Sequence, residues 1–334
     1  IPENLLNEVA SIVEWPAALI AHFHEDYLQV PAEALIAAMQ VHQKCFALKD
    51  QHGKLLAHFI TISNIESKNA AQVIAGNEKV MNARLSDADF FYKQDKKQPL
   101  ARYLESTAKV IFQAKLGSLL DKSLRLQTIM ESLIVPFALD REDAMRAAEL
   151  SKCDLMTGMV GEFPELQGLM GYYYAQNDGE KKSISIALNE QYLPRFAADE
   201  LPDSPLGLAL SLADRIDTLV GIFAIGQKPT GVKDPFKLRR HALAVARMLI
   251  HVPSTLSIKH LLQLGLDAYG DLVSSSEGLV DEISAFIFER VQSFYVGQGV
   301  GIELIQAVKA RQTEQLYDFG LRVQALVEFV HRPE

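Results

Sequence analysis

The chain has 334 residues, of which 49% are hydrophobic and 22% charged, a composition typical of a globular protein with two or three domains. Its net charge of −9 excludes a global electrostatic attraction for nucleic acid, although a local basic face remains compatible with that charge. The two cysteines, Cys45 and Cys153, lie far apart and form no CxxC pair, which indicates free thiols in a reducing compartment rather than a disulfide framework.

The sequence shows no sign of membrane insertion. No apolar run reaches the ~18 residues of a membrane span, and no charged-then-apolar signal segment opens the chain. The first residue is Ile, and residues 330–334 continue an amphipathic pattern. We therefore expect a fragment of a longer cytoplasmic protein that has no membrane partner.

Residues 1–98 mix helix and strand signals. A helix is predicted to begin at Pro31, because Pro is favoured in the first turn of a helix. Apolar runs at 45–48 and 55–62 flank the Asp- and Gly-containing turn 49–54, which predicts a β-hairpin. Polar residues and Gly76 punctuate the remainder of this part.

From about residue 100 onward the hydrophobic period becomes helical. We predict helices at 100–116, 118–135, 141–159, 181–192, 204–220, 234–250, 256–271, 276–296 and 301–330. The expected fold class is mainly α, with a helical bundle and further helices preceded by a smaller α+β module that ends near residue 98.

Residues at three positions in these helices resemble the ligand pattern of a metal-dependent phosphohydrolase bundle of the HD type. Such a bundle takes a His from one helix, a His-Asp dyad from the next and an Asp from a later one. Here Lys122 stands at the first His and Cys153 at the dyad His, and only Asp154 and Asp214 keep their types. Since a protonated Lys repels a metal ion, we predict a degenerate site with no metal and no catalytic residue.

Asp154 lies on the apolar face of the predicted helix 141–159, so its side chain is expected to point inward and to need a partner. We expect an ion pair between Asp154 and Lys122 that fills the vacated metal site. A surviving metal or nucleotide pocket is the alternative.

Basic residues cluster around a predicted helix start at Asp234 and Pro235. They are Lys233, Lys237, Arg239 and Arg240. One interpretation is an anion site at the helix N-terminus, suited to phosphate. In the other, Asp234 caps the helix and the basic side chains are simply solvated. A second, weaker basic group contains Lys115, Lys122 and Arg125.

Ordered stretches covering most of residues 1–245 resemble the beta subunit of the bacterial heterotetrameric glycyl-tRNA synthetase. They include EVASIVEWPAALIAHF (8–23), VIFQAKLGSLLDKSLRL (110–126), SKCDLMTGMVGEFPELQGLMGYYYA (151–175) and LADRIDTLVGIFAIGQKPTGVKDPFKLRR (212–240). Lys122 belongs to the GxLxDK pattern of that family, whose HD-like domain typically lacks the full ligand set.

The resemblance implies a domain order. Residues 1–98 would be the end of an N-terminal region related to the B3/B4 and B5 modules of phenylalanyl-tRNA synthetase. Residues 99–250 would be the HD-like helical domain, and 251–334 a helical linking module. A partner alpha subunit, in an α2β2 heterotetramer, would hold the active site and use ATP and Mg²⁺, so this chain would carry no cofactor.

The resemblance also implies a function, namely binding of tRNA(Gly) without catalysis. Lys233, Lys237, Arg239 and Arg240 are the first candidates for contacts to tRNA phosphates, followed by Lys115 and Arg125. The alternative function is that of a metal-dependent phosphohydrolase or a nucleotide-binding domain at Asp154 and Asp214.

Overall fold

The computed structural model describes residues 2–273, 276–311 and 313–330, and its fold is mainly α-helical, as predicted. The strands of the described part all lie before residue 119, in two small sheets. One continuous apolar core runs from Ala21 to Val323 and includes residues of both the α+β module and the helices. The domain boundaries near residues 98 and 250 stay predictions.

The N-terminal module is built on a three-stranded antiparallel sheet of order β1-β3-β2. Its strands are β1 (Ala17–His22), β2 (Phe46–Lys49) and β3 (Leu55–Ser63). The predicted hairpin is confirmed as β2 and β3. In its turn the Asp50 carboxylate accepts the backbone N–H groups of His52 and Lys54 at 2.8 and 2.9 Å, and Gly53 takes a φ of +80°.

Three helices accompany this sheet: α1 (Glu3–Ile12), α2 (Ala32–Ala37) and α3 (Ala70–Asp95). The predicted helix after Pro31 is confirmed as α2. Helix α3 was not predicted, because its Gly, Asn, Ser and Asp residues resemble turn signals. Within α3 the amides of Asn77 and Asn82 donate to carbonyls one turn earlier, while Met81 and Leu85 are buried, so tertiary packing overrides the weak local preference.

The predicted helix 100–116 is wrong. Residues Leu100–Tyr103 form a 3₁₀ turn, followed by α4 (Leu104–Thr107) and a short hairpin of β4 (Ile111–Gln113) and β5 (Gly117–Ser118). Gly117, with a φ of +87°, directs the chain into the next helix.

The remaining helices form the body of the protein. They are α5 (Leu119–Leu133), α6 (Arg141–Leu150), α7 (Gly158–Glu162), α8 (Leu169–Asn177), α9 (Lys182–Glu190), α10 (Pro205–Ala224), α11 (Leu238–His251), α12 (Ile258–Asp267), α13 (Leu279–Gly297), α14 (Ile302–Lys309) and α15 (Leu316–Val330). None of the helices in the described ranges is long and apolar enough to span a membrane.

Two long predicted helices are divided in the structure. The helix 141–159 ends at Leu150, because the chain enters a 3₁₀ turn at Cys153–Met156 and Thr157 then caps α7. The helix 301–330 is split into α14 and α15, since the Glu314 carbonyl accepts the backbone N–H of Ile258. A tertiary hydrogen bond at this point replaces the helical one.

Helix α10 is the centre of the bundle and packs against α5, α9, α11 and α12. Every residue from Leu206 to Phe223 is buried, yet the helix carries Asp214, Arg215 and Asp217. Buried charges need partners. Those partners define the candidate site.

Candidate functional site

The three predicted positions, on α5, after α6 and on α10, lie close together in the interior of the protein. Lys122 Nζ lies 2.7 Å from Asp217 Oδ2 and 3.2 Å from Asp214 Oδ1. Lys152 Nζ lies 2.9 Å from the same Asp214 oxygen. We call Lys122, Arg125, Lys152, Asp214 and Asp217 the buried charge cluster.

Arg125 was predicted as a possible tRNA contact, but its side chain is buried in the structure. Its Nε and Nη2 donate to the two carboxylate oxygens of Asp217 at 2.6 and 3.3 Å, and its Nη1 donates to the Leu116 carbonyl at 3.0 Å. The guanidinium also stacks on the ring of Tyr269 at 4.2 Å. A group engaged on every side is not available to a phosphate.

Asp217 is the most important site residue that was not predicted from the sequence. It is completely buried and accepts from both Lys122 and Arg125. The spacing of charged residues in the sequence does indicate a role for Asp217, because Lys122 and Arg125 lie three residues apart on α5, as Asp214 and Asp217 do on α10. Residues with this spacing share a helix face, so two facing helices can match their charges.

Further hydrogen bonds satisfy the two lysines of the cluster. Lys122 also donates to the hydroxyl of Thr218 at 2.9 Å, and Lys152 donates to the side-chain carbonyl of Gln191 at 3.0 Å. Burial opposes ionisation of Asp214, but the two ammonium groups hold the pKa of its carboxyl far below the usual range. Burial also lowers the pKa of Lys152, against the attraction of Asp214. The cluster therefore holds ionised groups through mutual pairing.

The predicted ion pair between Lys122 and Asp154 is wrong. Asp154 is buried in the 3₁₀ turn after α6, and its carboxylate accepts the backbone N–H of Gly168 at 2.5 Å. Burial raises the pKa of Asp154 to about 6, although backbone donors and Lys152 oppose this. Because α6 ends early, Asp154 is directed toward the loop before α8, and the partners of Lys122 come from α10 instead.

Cys153 is buried and unsuited to act as a nucleophile. Its thiol donates to the Glu149 carbonyl at 3.7 Å, and burial raises its pKa to about 12. A neutral thiol is neither an effective nucleophile nor a metal ligand. At this position Cys153 is a packing residue of the core.

The arrangement does not support the alternative of a metal-dependent phosphohydrolase. Among the described residues, no group of three or more His, Cys, Asp and Glu side chains could hold a metal ion. Asp154 and Asp214 face different partners, and the ammonium groups of Lys122 and Lys152 lie beside Asp214, where a second cation would be repelled.

Two further residues beside the cluster have structural roles. The Arg215 guanidinium donates to the carbonyls of Gln191, Tyr192 and Pro194, so it holds the connection from α9 to α10. On α11, burial and the nearby Arg215 cation lower the pKa of His241 to about 3. Its imidazole is therefore neutral at physiological pH.

The basic residues near α11 lie mostly on the surface. Lys233, Lys237 and Arg240 are exposed, whereas Arg239 is partly buried and donates to the Gly231 carbonyl at 2.6 Å. Lys115, the other candidate, is exposed in the turn between β4 and β5. Unlike the buried Arg125 side chain, the exposed basic side chains are accessible to a ligand.

At the N-terminus of α11, the first backbone N–H groups already have an acceptor, so any anion contact there falls to the basic side chains. The helix begins at Leu238 rather than at Asp234, and the Asp234 carboxylate accepts the N–H groups of Leu238 and Arg239 at 2.8 and 3.0 Å. Asp234 thus accepts hydrogen bonds at the start of the helix, as the competing interpretation expected, but the N-cap residue is Lys237 and Pro235 precedes the first turn. The Asp234 carboxylate therefore already places a negative charge at the N-terminus of α11.

The chain is similar to known proteins over its whole length. The family model described as "Glycyl-tRNA synthetase beta subunit" matches residues 1–310. Over all 334 residues, the chain is 50% identical to a glycine–tRNA ligase beta subunit of Acinetobacter baylyi and 49% identical to that of Stutzerimonas stutzeri, of which it covers 48% and 49%. A third relative, from Chromohalobacter salexigens, is 49% identical over the same length. The chain spans about half the length of the curated relatives it matches.

Proposed function

Because the chain belongs to the glycyl-tRNA synthetase beta-subunit family, we propose that it is a non-catalytic, tRNA-binding part of such a synthetase. The match across the whole chain is the observation that carries this proposal. In this proposal, the buried charge cluster stabilises the helical body of the chain. Glycine is activated with ATP and Mg²⁺ on a separate alpha subunit of an α2β2 assembly, which then attaches glycine to tRNA(Gly).

The exposed cations near α11 are the proposed contacts to tRNA phosphates. Lys233, Lys237 and Arg240 extend from a short segment into solvent. Contacts between Lys or Arg and phosphates release condensed counterions, so they provide affinity on a chain whose net charge is −9. Lys115 is a further proposed contact. Arg239 contributes by holding the segment through Gly231.

Charge reversal tests this placement. The triple variant Lys233→Glu, Lys237→Glu, Arg240→Glu should bind tRNA(Gly) at least about tenfold more weakly at low salt. The slope of log K against log salt should become shallower, by roughly one for each phosphate that is no longer neutralised. A triple reversal of the exposed Lys54, Lys79 and Lys182 is the matched control. Equal tRNA affinity of the two triple variants would contradict the placement.

The division of labour between subunits is tested separately. Glycine-dependent exchange of pyrophosphate into ATP should require the alpha subunit and should not occur with this chain alone. Charging of tRNA(Gly) should require both subunits. Exchange catalysed by this chain alone would overturn the proposal that it is non-catalytic.

A further inference from the structure

Two histidines lie opposite each other on the sheet of the N-terminal module. His22 is the last residue of β1 and pairs directly with His58 on β3. Phe23, the next residue, donates its backbone N–H to the Ala57 carbonyl at 3.0 Å, so His22 and His58 form one of the non-hydrogen-bonded pairs of this antiparallel ladder. In such pairs the side chains are closest, with Cβ atoms typically about 4.5–5.5 Å apart. We call His22 and His58 the cross-strand histidine pair.

Both rings of the pair lie on the solvent side of the sheet. Side chains alternate between the two faces of a strand, and the neighbours Ala21 and Phe59 are buried on the other face. His58 is exposed, and the His22 side chain is 69% exposed. A small ion in solution can therefore reach both rings without any change in the core.

Glu78 on α3 holds the His22 ring in place. One carboxylate oxygen, Oε1, accepts the backbone N–H of His22 at 3.0 Å and lies 2.5 Å from Nδ1 of its ring. Because an ionised carboxylate only accepts hydrogen bonds, the hydrogen of the neutral ring is on Nδ1, and Nε2 keeps a free lone pair. A carboxylate behind the ring is the usual support of a metal-binding histidine, since it orients the ring and raises its basicity.

The chemistry of the pair indicates which ions it could bind. Imidazole nitrogen suits Zn²⁺, Ni²⁺ and Cu²⁺, whereas Mg²⁺ and Ca²⁺ prefer oxygen ligands. Among the residues that the structure describes, no third His, Cys, Asp or Glu completes the group, so water would fill the remaining coordination positions. Mixed nitrogen and oxygen coordination is typical of Cu²⁺ and Ni²⁺.

We propose that the cross-strand histidine pair binds one divalent transition-metal ion through its two imidazoles, with Glu78 as the residue that positions His22. The bound ion links β1 to β3. The site uses no residue of the buried charge cluster and none of the proposed tRNA contacts, so it can be tested separately from the proposed function.

Calorimetric titration of the tag-free chain with Ni²⁺ tests the site. The unmodified chain should bind one ion at neutral pH. His22→Ala and His58→Ala should each weaken Ni²⁺ binding at least about tenfold, because the second imidazole then no longer binds the same ion intramolecularly.

His24→Ala is the matched control. The His24 side chain is also 69% exposed and also contacts a carboxylate, that of Asp26 at 3.2 Å, but it lies beyond the end of β1. This variant should bind Ni²⁺ like the unmodified chain. Equal weakening in His24→Ala and His22→Ala would overturn the assignment to the cross-strand pair.

Glu78→Gln tests the positioning residue. The variant keeps an oxygen that can accept the backbone N–H of His22 but removes the negative charge behind the ring, so Ni²⁺ binding should weaken by about tenfold. Unchanged affinity would overturn the role of Glu78 alone.

A second measurement keeps the test independent of folding. Ni²⁺ should raise the thermal midpoint of the unmodified chain and of His24→Ala, because an ion that binds only the folded state stabilises it. It should not do so in His22→Ala or His58→Ala, whose midpoints without metal should match that of the unmodified chain. Failure of the unmodified chain to bind Ni²⁺, or equal binding by both histidine variants of the pair, would overturn the site.

Discussion

Lys122 and Asp217 form an ion pair in the interior, with Lys122 Nζ 2.7 Å from Asp217 Oδ2. They lie 95 residues apart in the sequence, on α5 and α10. The ammonium group on α5 is therefore neutralised by a carboxylate of a second helix. The site is a structural junction between helices.

Removal of Asp217 should destabilise the protein strongly. Asp217→Ala leaves Lys122 and Arg125 buried with too few anions, and breaking a buried pair typically costs about 3–5 kcal/mol. The free energy of unfolding from urea denaturation measures this loss. Glu282→Ala is the control, since it removes a surface pair with Lys228 and should cost less than about 1 kcal/mol. Equal losses in the two variants would contradict the role of the cluster.

Asp95 should couple the end of α3 to the helical body. Its carboxylate accepts the N–H groups of Gly158 and Met159 at 2.8 and 2.9 Å and the Tyr174 hydroxyl at 2.8 Å. Asp95→Ala leaves these buried donors unpaired and should cost about 1–3 kcal/mol of unfolding free energy.

Amide hydrogen exchange locates the effect of Asp95→Ala. The amides of Gly158 and Met159 should exchange faster in this variant, while Asp87→Ala, at an exposed position of the same helix, should leave them unchanged. Unaltered exchange at both amides in Asp95→Ala would contradict the coupling.

Asp154 should make stability depend on pH. Its folded-state pKa of about 6 lies above the ordinary value of 3.8, so the folded state retains the proton more strongly. The resulting stabilisation is fully present below about pH 4 and is lost as the pH rises through 6.

The variant Asp154→Asn isolates this titration, because the other carboxylates are present in both proteins. Between about pH 4 and pH 7 the unmodified protein should lose about 1–3 kcal/mol of unfolding free energy relative to the variant. Denaturation at several pH values measures the difference. A constant difference across this range would show that Asp154 does not titrate there.

Both thiols should be unreactive in the folded protein. Cys45 and Cys153 are buried, and burial raises the pKa of each. A thiol-specific chromogenic reagent should therefore modify neither residue in the native state and both in denaturant. Rapid native-state modification, retained in Cys45→Ala and lost in Cys153→Ala, would contradict the inert role of Cys153.

The sequence predicted those parts of the fold that depend on local patterns. The hairpin of β2 and β3 has turn residues between apolar runs, and the start of α5 has a capping box between Ser118 and Asp121. Helix α3 was missed because its packing on the sheet, rather than its composition, stabilises it. The early end of α6 was missed because it depends on Asp154 and Thr157 finding partners beyond the helix.

For the candidate site, the sequence by itself determined which charged residues occur and how they are spaced on each helix. It also determined the family to which the chain belongs. The tertiary structure alone decided that Lys122 pairs with Asp217 rather than Asp154, that Arg125 is buried and that Asp234 fills the N-terminus of α11. The physical reason is that a buried charge takes whichever partner the docking of distant helices brings within a few ångströms. Local periodicity carries no information about that docking.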